Sequence, residues 1–278
     1  MTQIPERIPT MKNRILSTRL TDEQLGLFYL GQVGFIIKYK EKYLCIDPFL
    51  TGGVRGVDER GFREFKAPIL PEELDFLDYV FCTHDHLDHT DPRTVSGIAA
   101  VNKTVKFVIP APFVDNVVKY GVPREQIIPA RDGDVITDGD IVIRPLPSAH
   151  EELHQDENGD YCEMGYQINF GDISIYHCGD STVYDGQAEK VGKVDIAMLP
   201  VNGRSYYKLK HNLIGNMTLE EAVLFAKDAE AKLFIPLHID MFAMNTIPKS
   251  YIPAGVDQYN KGMPYHIFTP GERFIFMK

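Results

Sequence analysis

Apolar positions along the chain gather into short runs rich in β-branched and aromatic residues. Runs at 27–30, 35–39 and 43–46 are separated by glycine-containing or charged turns such as Lys40-Glu41, and Asp47-Pro48 ends the third. Segments 79–82, 106–109, 141–146, 164–170, 173–177, 196–199 and 233–237 predict further strands, two of them joined by a Gly171-Asp172 hairpin turn. Helix signals are fewer. Asp91 as N-cap with Pro92 at the first helical position predicts a helix running to Val101. Residues 111–120 predict a helix stopped by Gly121, and Thr218-Leu219-Glu220-Glu221 is a capping box opening a helix to about Ala229. Residues 1–25 are polar and read as an N-terminal arm, and the glycine- and charge-rich stretch 51–67 reads as a loop. No internal repeat, low-complexity tract or Gly/Ser linker divides the rest, so 26–278 reads as one domain. Strands and helices are interspersed, and several connections are too short for crossovers. The pattern suits two sheets packed face to face with helices outside, more than a doubly wound parallel sheet.

Composition narrows the partners. With 278 residues and 44% hydrophobic content, the chain can bury a sizeable core. Its formal net charge of −10 lacks the basic footprint of a nucleic-acid binder. Small anions stay open, because cations clustered beside a metal can hold one. Cys45, Cys82, Cys162 and Cys178 form no C-x-x-C pair and read as free thiols in a reducing compartment. The first residues, MTQIPERIPTMKNR, contain no apolar signal segment, and no apolar run reaches the roughly 18 residues that span a bilayer. The expectation is a cytoplasmic protein with no membrane partner; homo-oligomerisation is left open.

The strongest chemical signal is His84-x-His86-x-Asp88-His89, directly after the strand at 79–82. Imidazole and carboxylate are the ligands of hydrolytic zinc and manganese sites, and iron is accepted by the same donors. In an extended stretch His84 and His86 point to one side and can grip one metal. After the chain turns, Asp88 and His89 can present to a second. Two metals need more donors. His150, Asp180 and His238 each follow a predicted strand, and the Asp180 carboxylate can bridge two cations. His154 rivals His150, which is nearer its strand end. His177 reads as packed within its strand, His266 as structural, and His211 as ambiguous.

Asp47, the THDHLDH segment at 83–89, His150, Asp180 and His238 together resemble the five motifs of the metallo-β-lactamase superfamily. The resemblance implies an α+β four-layer αββα sandwich with the site at one edge between the sheets. It implies one metal site of His84, His86, His150 and Asp180, and another of Asp88, His89, Asp180 and His238. Asp47 would orient a metal-binding histidine. HCGDSTVYDG at 177–186, DIAMLPVNGR at 195–204, GNMTLEEAV at 215–223 and IPLHIDMFAMN at 235–245 resemble the L-ascorbate-6-phosphate lactonase branch. The chain departs from that branch in lacking the long insertion before the second motif.

The chemistry implied is hydrolysis by metal-bound hydroxide, which forms at neutral pH because a metal lowers the pKa of its water to about 7. The expected reaction opens a lactone or cleaves an ester of a small anionic, sugar-phosphate-like substrate. Asp88 and Asp180 are the expected catalytic carboxylates, Asp88 by accepting a hydrogen bond from the nucleophile. Alternatives are a phosphodiesterase on the same fold and a non-catalytic metal-binding or sensory protein; a diiron redox protein would prefer glutamate where His86 stands. For substrate binding, 201–216 concentrates cations and amides in an acidic chain. Asn202, Arg204, His211 and Asn216 are the candidates, with Lys208, Lys210, Tyr206 and Tyr207 among them. Asn202 and Arg204 directly follow the strand at 196–199, and Arg204 suits a carboxylate or phosphate.

Overall fold

A computed structural model of the chain describes residues 10–53 and 62–278. The first sheet contains β1 (Gln24–Gly31), β2 (Gly34–Tyr39), β3 (Lys42–Ile46), β4 (Tyr79–Phe81), β5 (Lys106–Pro110), β6 (Ile127–Ala130) and β13 (Arg273–Met277), in the order β13-β1-β2-β3-β4-β5-β6. The second contains β7 (Ile136–Asp138), β8 (Ile141–Pro147), β9 (Met164–Phe170), β10 (Ile173–His177), β11 (Ile196–Pro200) and β12 (Leu233–Leu237), in the order β12-β11-β10-β9-β8-β7.

Most central strands are buried along their whole length because each sheet is covered on both faces. The two-residue side-chain period sorts them into separate cores. Leu27, Tyr29, Phe35, Ile37, Leu44, Ile46 and Phe81 meet Ile168, Ile175, Ile196, Met198 and Ile235 between the sheets. Alternate residues Phe28, Ile36, Cys45, Val80 and Phe107 face outward onto α1 (Met11–Ser17), α2 (Pro92–Val101) and α3 (Val114–Lys119). On the opposite side, Tyr176, Ala197, Leu199 and Phe234 pack against α4 (Gln187–Val191), α6 (Leu219–Asp228) and α7 (Tyr251–Tyr259). The result is the expected αββα sandwich. Burying one such large apolar side chain contributes roughly 1.5–3 kcal/mol, so the central layer carries much of the fold's stability.

Three local expectations change. Part of the polar arm is the docked helix α1. Thr10 caps it by accepting from the Asn13 N–H, and Met11 and Ile15 enter the outer core. Its last carbonyls, with that of Thr18, accept from the buried Lys38 ammonium of β2, which suits the negative end of the helix. Two apolar residues one turn apart are a weak signal in a polar stretch, and their partners lie on a distant strand. The helix expected over 111–120 begins with one 3-10 turn, Ala111–Phe113, before α3. Within the expected loop at 51–67, Gly53 and Phe62 form an isolated bridge, while 54–61, like residues 1–9, lies outside the described residues.

Strand directions place the site. In the first sheet β1 and β3 are both antiparallel to β2, and β4 runs parallel to β3. In the second, β8 and β10 are both antiparallel to β9, and β11 and β12 run parallel to β10. Within each sheet, the strands that carry the candidate ligands therefore point the same way. Their C-terminal ends share one rim, where open sheets place their ligands.

Candidate metal centre

The THDHLDH segment leaves β4 at the rim and is clamped at its base. The Thr83 carbonyl accepts from the Met164 N–H at 2.8 Å, and Tyr166 Oη donates to the Cys82 carbonyl at 2.8 Å, so the segment is tied to the second sheet. From that sheet the chain after β10 passes beside it at Gly179. A Cβ there would lie 2.7 Å from the Thr83 side chain, and φ is +65°, so glycine alone permits the approach that brings in Asp180.

Side chains from both sheets converge. The rings of His84, His86 and His150 have centroids 4.6–5.0 Å apart, and His150 Nε2 lies 3.1 Å from His86 Nδ1. Asp180 Oδ2 lies 3.5 Å from both His89 Nε2 and His238 Nε2, while Asp88 Oδ2 is 3.7 Å from His89 Nε2. Donor atoms close enough to share a cation form three overlapping groups: His84, His86 and His150; His84, His89 and Asp180; and Asp88, His89 and His238. The segment reaches this arrangement through bends and turns and not as extended chain, so His84 and His86 are brought together by the turn and not by strand alternation.

Hydrogen bonds fix which nitrogens face inward. Asp47 receives the Thr83 N–H at 2.8 Å, the Thr83 hydroxyl at 2.7 Å and His89 Nδ1 at 2.8 Å. With its proton on Asp47, the Thr83 hydroxyl is left to accept from His84 Nδ1 at 3.1 Å. His238 Nδ1 donates to the Asn245 carbonyl at 3.0 Å. In all three histidines the bonded Nδ1 leaves the Nε2 lone pair for a metal. The Nε2 atoms of His84 and His89, His150 Nδ1 and Asp180 Oδ1 are buried without a hydrogen-bond partner. Buried polar atoms are normally paired. Orphaned imidazole nitrogens and a carboxylate oxygen on residues of one cluster are the donors of a divalent-cation site, so the residues fit the metal.

The electrostatics agree. Burial, then the neighbouring histidines, holds His84 well below its ordinary pKa, and burial pushes His150 down to about 4. Both stay neutral and able to coordinate. Burial opposes charge on His89 but is outweighed by Asp180, Asp88 and Asp47, which raise it. For Asp180 burial is outweighed by His238 and His89, which keep it ionised.

The other histidines lie apart. His154 is exposed near Glu163, His177 is buried with Nε2 on the Val33 carbonyl, and His266 pairs with Glu272 among aromatic rings. The substrate candidates divide. Asn202 and Asn216 are buried. Asn202 Nδ2 donates to Asn245 Oδ1, joining it to the residue that holds His238, and Met217, next to Asn216, donates its N–H to Ser181 O beside Asp180. Arg204 turns away, pairing with Glu221 and holding the Asn216 carbonyl at 3.0 Å. His211 is exposed beside the Tyr207 ring at the end of α5 (Tyr206–Lys210). Lys208, one of many charges in its segment, is buried. Its ammonium donates to the carbonyls of Asn202 and Gly203, and burial lowers its pKa to about 8. A cavity of about 380 Å³ runs from Glu151, next to His150, to Arg204, Lys208 and Gly215.

Gln32 and Thr83 escaped the sequence reading. Thr83 opens the THDHLDH segment, but a hydroxyl signals no role by residue type; the fold sets it between Asp47 and His84. Gln32 sits in an ordinary-looking turn between glycines, and only the fold brings it to His238.

Residues 42–239 match the family model of the beta-lactamase superfamily domain. The chain belongs to the metallo-β-lactamase superfamily. Within it, a metal-dependent hydrolase of Thermococcus kodakarensis is 27% identical over 214 residues, which cover 76% of this chain and 82% of that relative. A metal-dependent hydrolase of Methanosarcina mazei is 28% identical over 226 residues, 78% of this chain and 84% of the relative. A probable L-ascorbate-6-phosphate lactonase of Salmonella newport is 30% identical over 183 residues, 60% of this chain and 50% of that relative; the match spans half of the lactonase's length. The fold also superposes on an isothiocyanate hydrolase from Delia radicum gut bacteria, with TM-score 0.71, 18% identity and coverage of 91% and 100%. It superposes on a diiron β-hydroxylase from Streptomyces venezuelae with TM-score 0.67 and 17% identity, covering 94% of this chain and 55% of the other. The superfamily match and the donor set together make this protein a metal-dependent hydrolase.

Proposed function

We propose that this hydrolase holds two divalent cations and opens a lactone, or cleaves an ester, of a small anionic substrate. The observation that carries the substrate class is a set of buried polar groups linked to the donors through Asn245 and Ser181, with Arg204 and Lys208 lining the adjacent cavity. Both side-chain amide atoms of Asn216 and the amide oxygen of Asn202 are buried without partners, and the Lys208 ammonium donates to the backbone carbonyl of Asn202. Such groups are costly to leave unpaired, and they match the oxygens of a polyhydroxylated or phosphorylated ligand.

His84, His86, His150 and Asp180 would hold one cation, and Asp88, His89, Asp180 and His238 the other. Bound there, divalent cations supply hydroxide at neutral pH and polarise the carbonyl under attack. The chain does the rest. Asp88 Oδ2 accepts a hydrogen bond and so can orient a nucleophile. Asp47 and Asn245 fix the imidazoles, and Arg204 positions Asn216 through its carbonyl. Lys208, still largely protonated at neutral pH, attracts negative charge to the cavity. The similarity to a probable sugar-phosphate lactonase supports the same class of substrate.

The test pairs elemental analysis with a substrate screen. The expected result is close to two ions per chain, and turnover of a phosphorylated lactone well above that of its unphosphorylated analogue. Preferential cleavage of phosphodiesters, or of RNA, would replace this reading with a phosphodiesterase. Metal binding with no turnover of esters, lactones or phosphodiesters would make the protein a sensor.

A further inference from the structure

We propose that Gln32 is a ligand of the second cation, binding it through the side-chain amide oxygen; this rests on the two-cation reading above. Gln32 lies in the turn between β1 and β2, between Gly31 and Gly34, and is buried. Its φ is +62°, in the left-handed region that glycine adopts freely and a glutamine does not. Its backbone is held on both sides. The N–H donates to Asp240 Oδ1 at 3.0 Å, and the carbonyl accepts from the His238 N–H at 2.8 Å and from Tyr29 Oη at 3.2 Å. A strained backbone pinned by three bonds, with its side chain directed into a cluster of metal donors, is the mark of a placed functional group.

The side chain ends among the donors. Nε2 lies 2.7 Å from His238 Nε2 and 3.1 Å from Asp88 Oδ2, and both residues belong to the donor group of Asp88, His89 and His238. For metal–ligand bonds of about 2.1 Å, neighbouring ligands sit about 3.0 Å apart at right angles and about 3.4 Å apart at the tetrahedral angle. The amide head is therefore at ligand-to-ligand distance from His238 and Asp88, as Asp180 is at 3.5 Å from His89 and His238.

A half-turn about the last side-chain bond exchanges the amide nitrogen and oxygen. Oε1 is buried and has no partner, so the turn breaks no bond on that side. Once a cation takes the lone pairs of His238 Nε2 and Asp88 Oδ2, the amide N–H groups lose both acceptors there. The oxygen is then the end the cation attracts. A neutral amide oxygen is a hard donor, which favours manganese over the more nitrogen- and sulfur-tolerant zinc.

The test titrates metal-stripped full-length protein with Mn²⁺ and with Zn²⁺ against a competing chelator, in the parent, Gln32→Leu and Gln32→Glu. In the parent, two ions are expected. Gln32→Leu should weaken the second Mn²⁺ by about ten- to a hundred-fold and the second Zn²⁺ by less, with the first ion unchanged. Gln32→Glu, which restores an oxygen donor, should recover or tighten the second site; it also shows whether a loss in the leucine variant reflects misfolding. With Co²⁺, the leucine variant should absorb more strongly in the visible, as a lower coordination number requires. Second-ion affinity that is unchanged or higher in Gln32→Leu, with two ions in the parent, would overturn the assignment alone. One ion in the parent, under metal-replete conditions, would overturn the two-cation reading and the role of Gln32 with it.

Discussion

The metal donors and the 202–216 segment both lie at the same rim, yet they are built in opposite ways. Each of His84, His89 and His238 is fixed through Nδ1, by Thr83, Asp47 or the Asn245 carbonyl, so the coordinating atom has one direction. In the 202–216 segment, direction varies from residue to residue: Asn202, Lys208 and Asn216 turn inward, while Arg204, Tyr206, Leu209 and His211 face solvent. A metal demands a few side-chain types converging on one point. A substrate accepts many polar groups, and which of them it meets depends on how a short helix such as α5 is turned.

The sharpest test of the rigid side is Asp180→Asn. Its carboxylate faces His89 and His238 with Oδ2 and leaves Oδ1 free for a further cation. An amide neither offsets the repulsion of two cations nor bridges them well. Turnover should fall by about a thousand-fold or more, further than for loss of any single terminal histidine. Activity within a few-fold of the parent would remove the bridging role.

Asn216→Ala tests the other side. Its amide has no partner in the fold, so melting temperature should hardly move, while turnover drops about ten- to a hundred-fold for the roughly 1.5–3 kcal/mol of a contact to a charged group. Metal content should be unchanged. A stability loss with normal turnover would make Asn216 a structural residue.

The third prediction concerns pH, with metal chelated. Unfolded His150 takes a proton near pH 6.5, whereas the folded residue resists it until about pH 4. Between those values the unfolded state binds more protons, so stability is lost as pH falls. By pH 5 the loss from this residue is about 2 kcal/mol. His84 acts in the same direction, and His89, with its raised pKa, in the opposite one. Thermal unfolding at pH 7 and pH 5 should therefore show a smaller pH-dependent loss in His150→Asn than in the parent. An equal loss in both would discard the assignment.

Arg204→Ala should have the smallest effect. Its ion pair with Glu221 is partly exposed and contributes about 0.2–1 kcal/mol. Because it holds the Asn216 carbonyl, turnover should fall by a few-fold on a phosphorylated lactone and on its unphosphorylated analogue alike. A loss confined to the phosphorylated substrate would instead show that the guanidinium leaves Glu221 to bind phosphate.

Much of the molecule was legible in its sequence because the relevant signals are local. Apolar runs located the central strands, and the Thr218/Glu221 capping box located α6. The candidate metal donors were readable by residue type at strand ends, and the fold brings them together. What escaped needed the third dimension. Strands β7 and β13 are short or half exposed and carry little pattern. In α1 only Met11 and Ile15 face the sheet, and the third apolar residue, Leu16, is exposed, which blurs the pattern. Gln32 meets His238 across 206 positions of chain, and nothing in a Gly-Gln-Val-Gly turn indicates that it will.

The donors are split between the two sheets. His84, His86, Asp88 and His89 follow β4, whereas His150, Asp180 and His238 follow strands of the second sheet. An ion bound among them is a cross-link that only the closed sandwich can make, so its binding energy is also folding energy. Free metal at a hundred times its dissociation constant adds about 2.7 kcal/mol to the native state. The same split sets an order of assembly at the ribosome. The histidine-rich segment emerges well before its partners, and until Asp180 and His238 have been synthesised and the second sheet has closed, it can hold metal only as a loose, exchangeable half-site. The supply of ions during folding, as well as the supply available to the finished enzyme, then decides how much of the chain reaches its closed form.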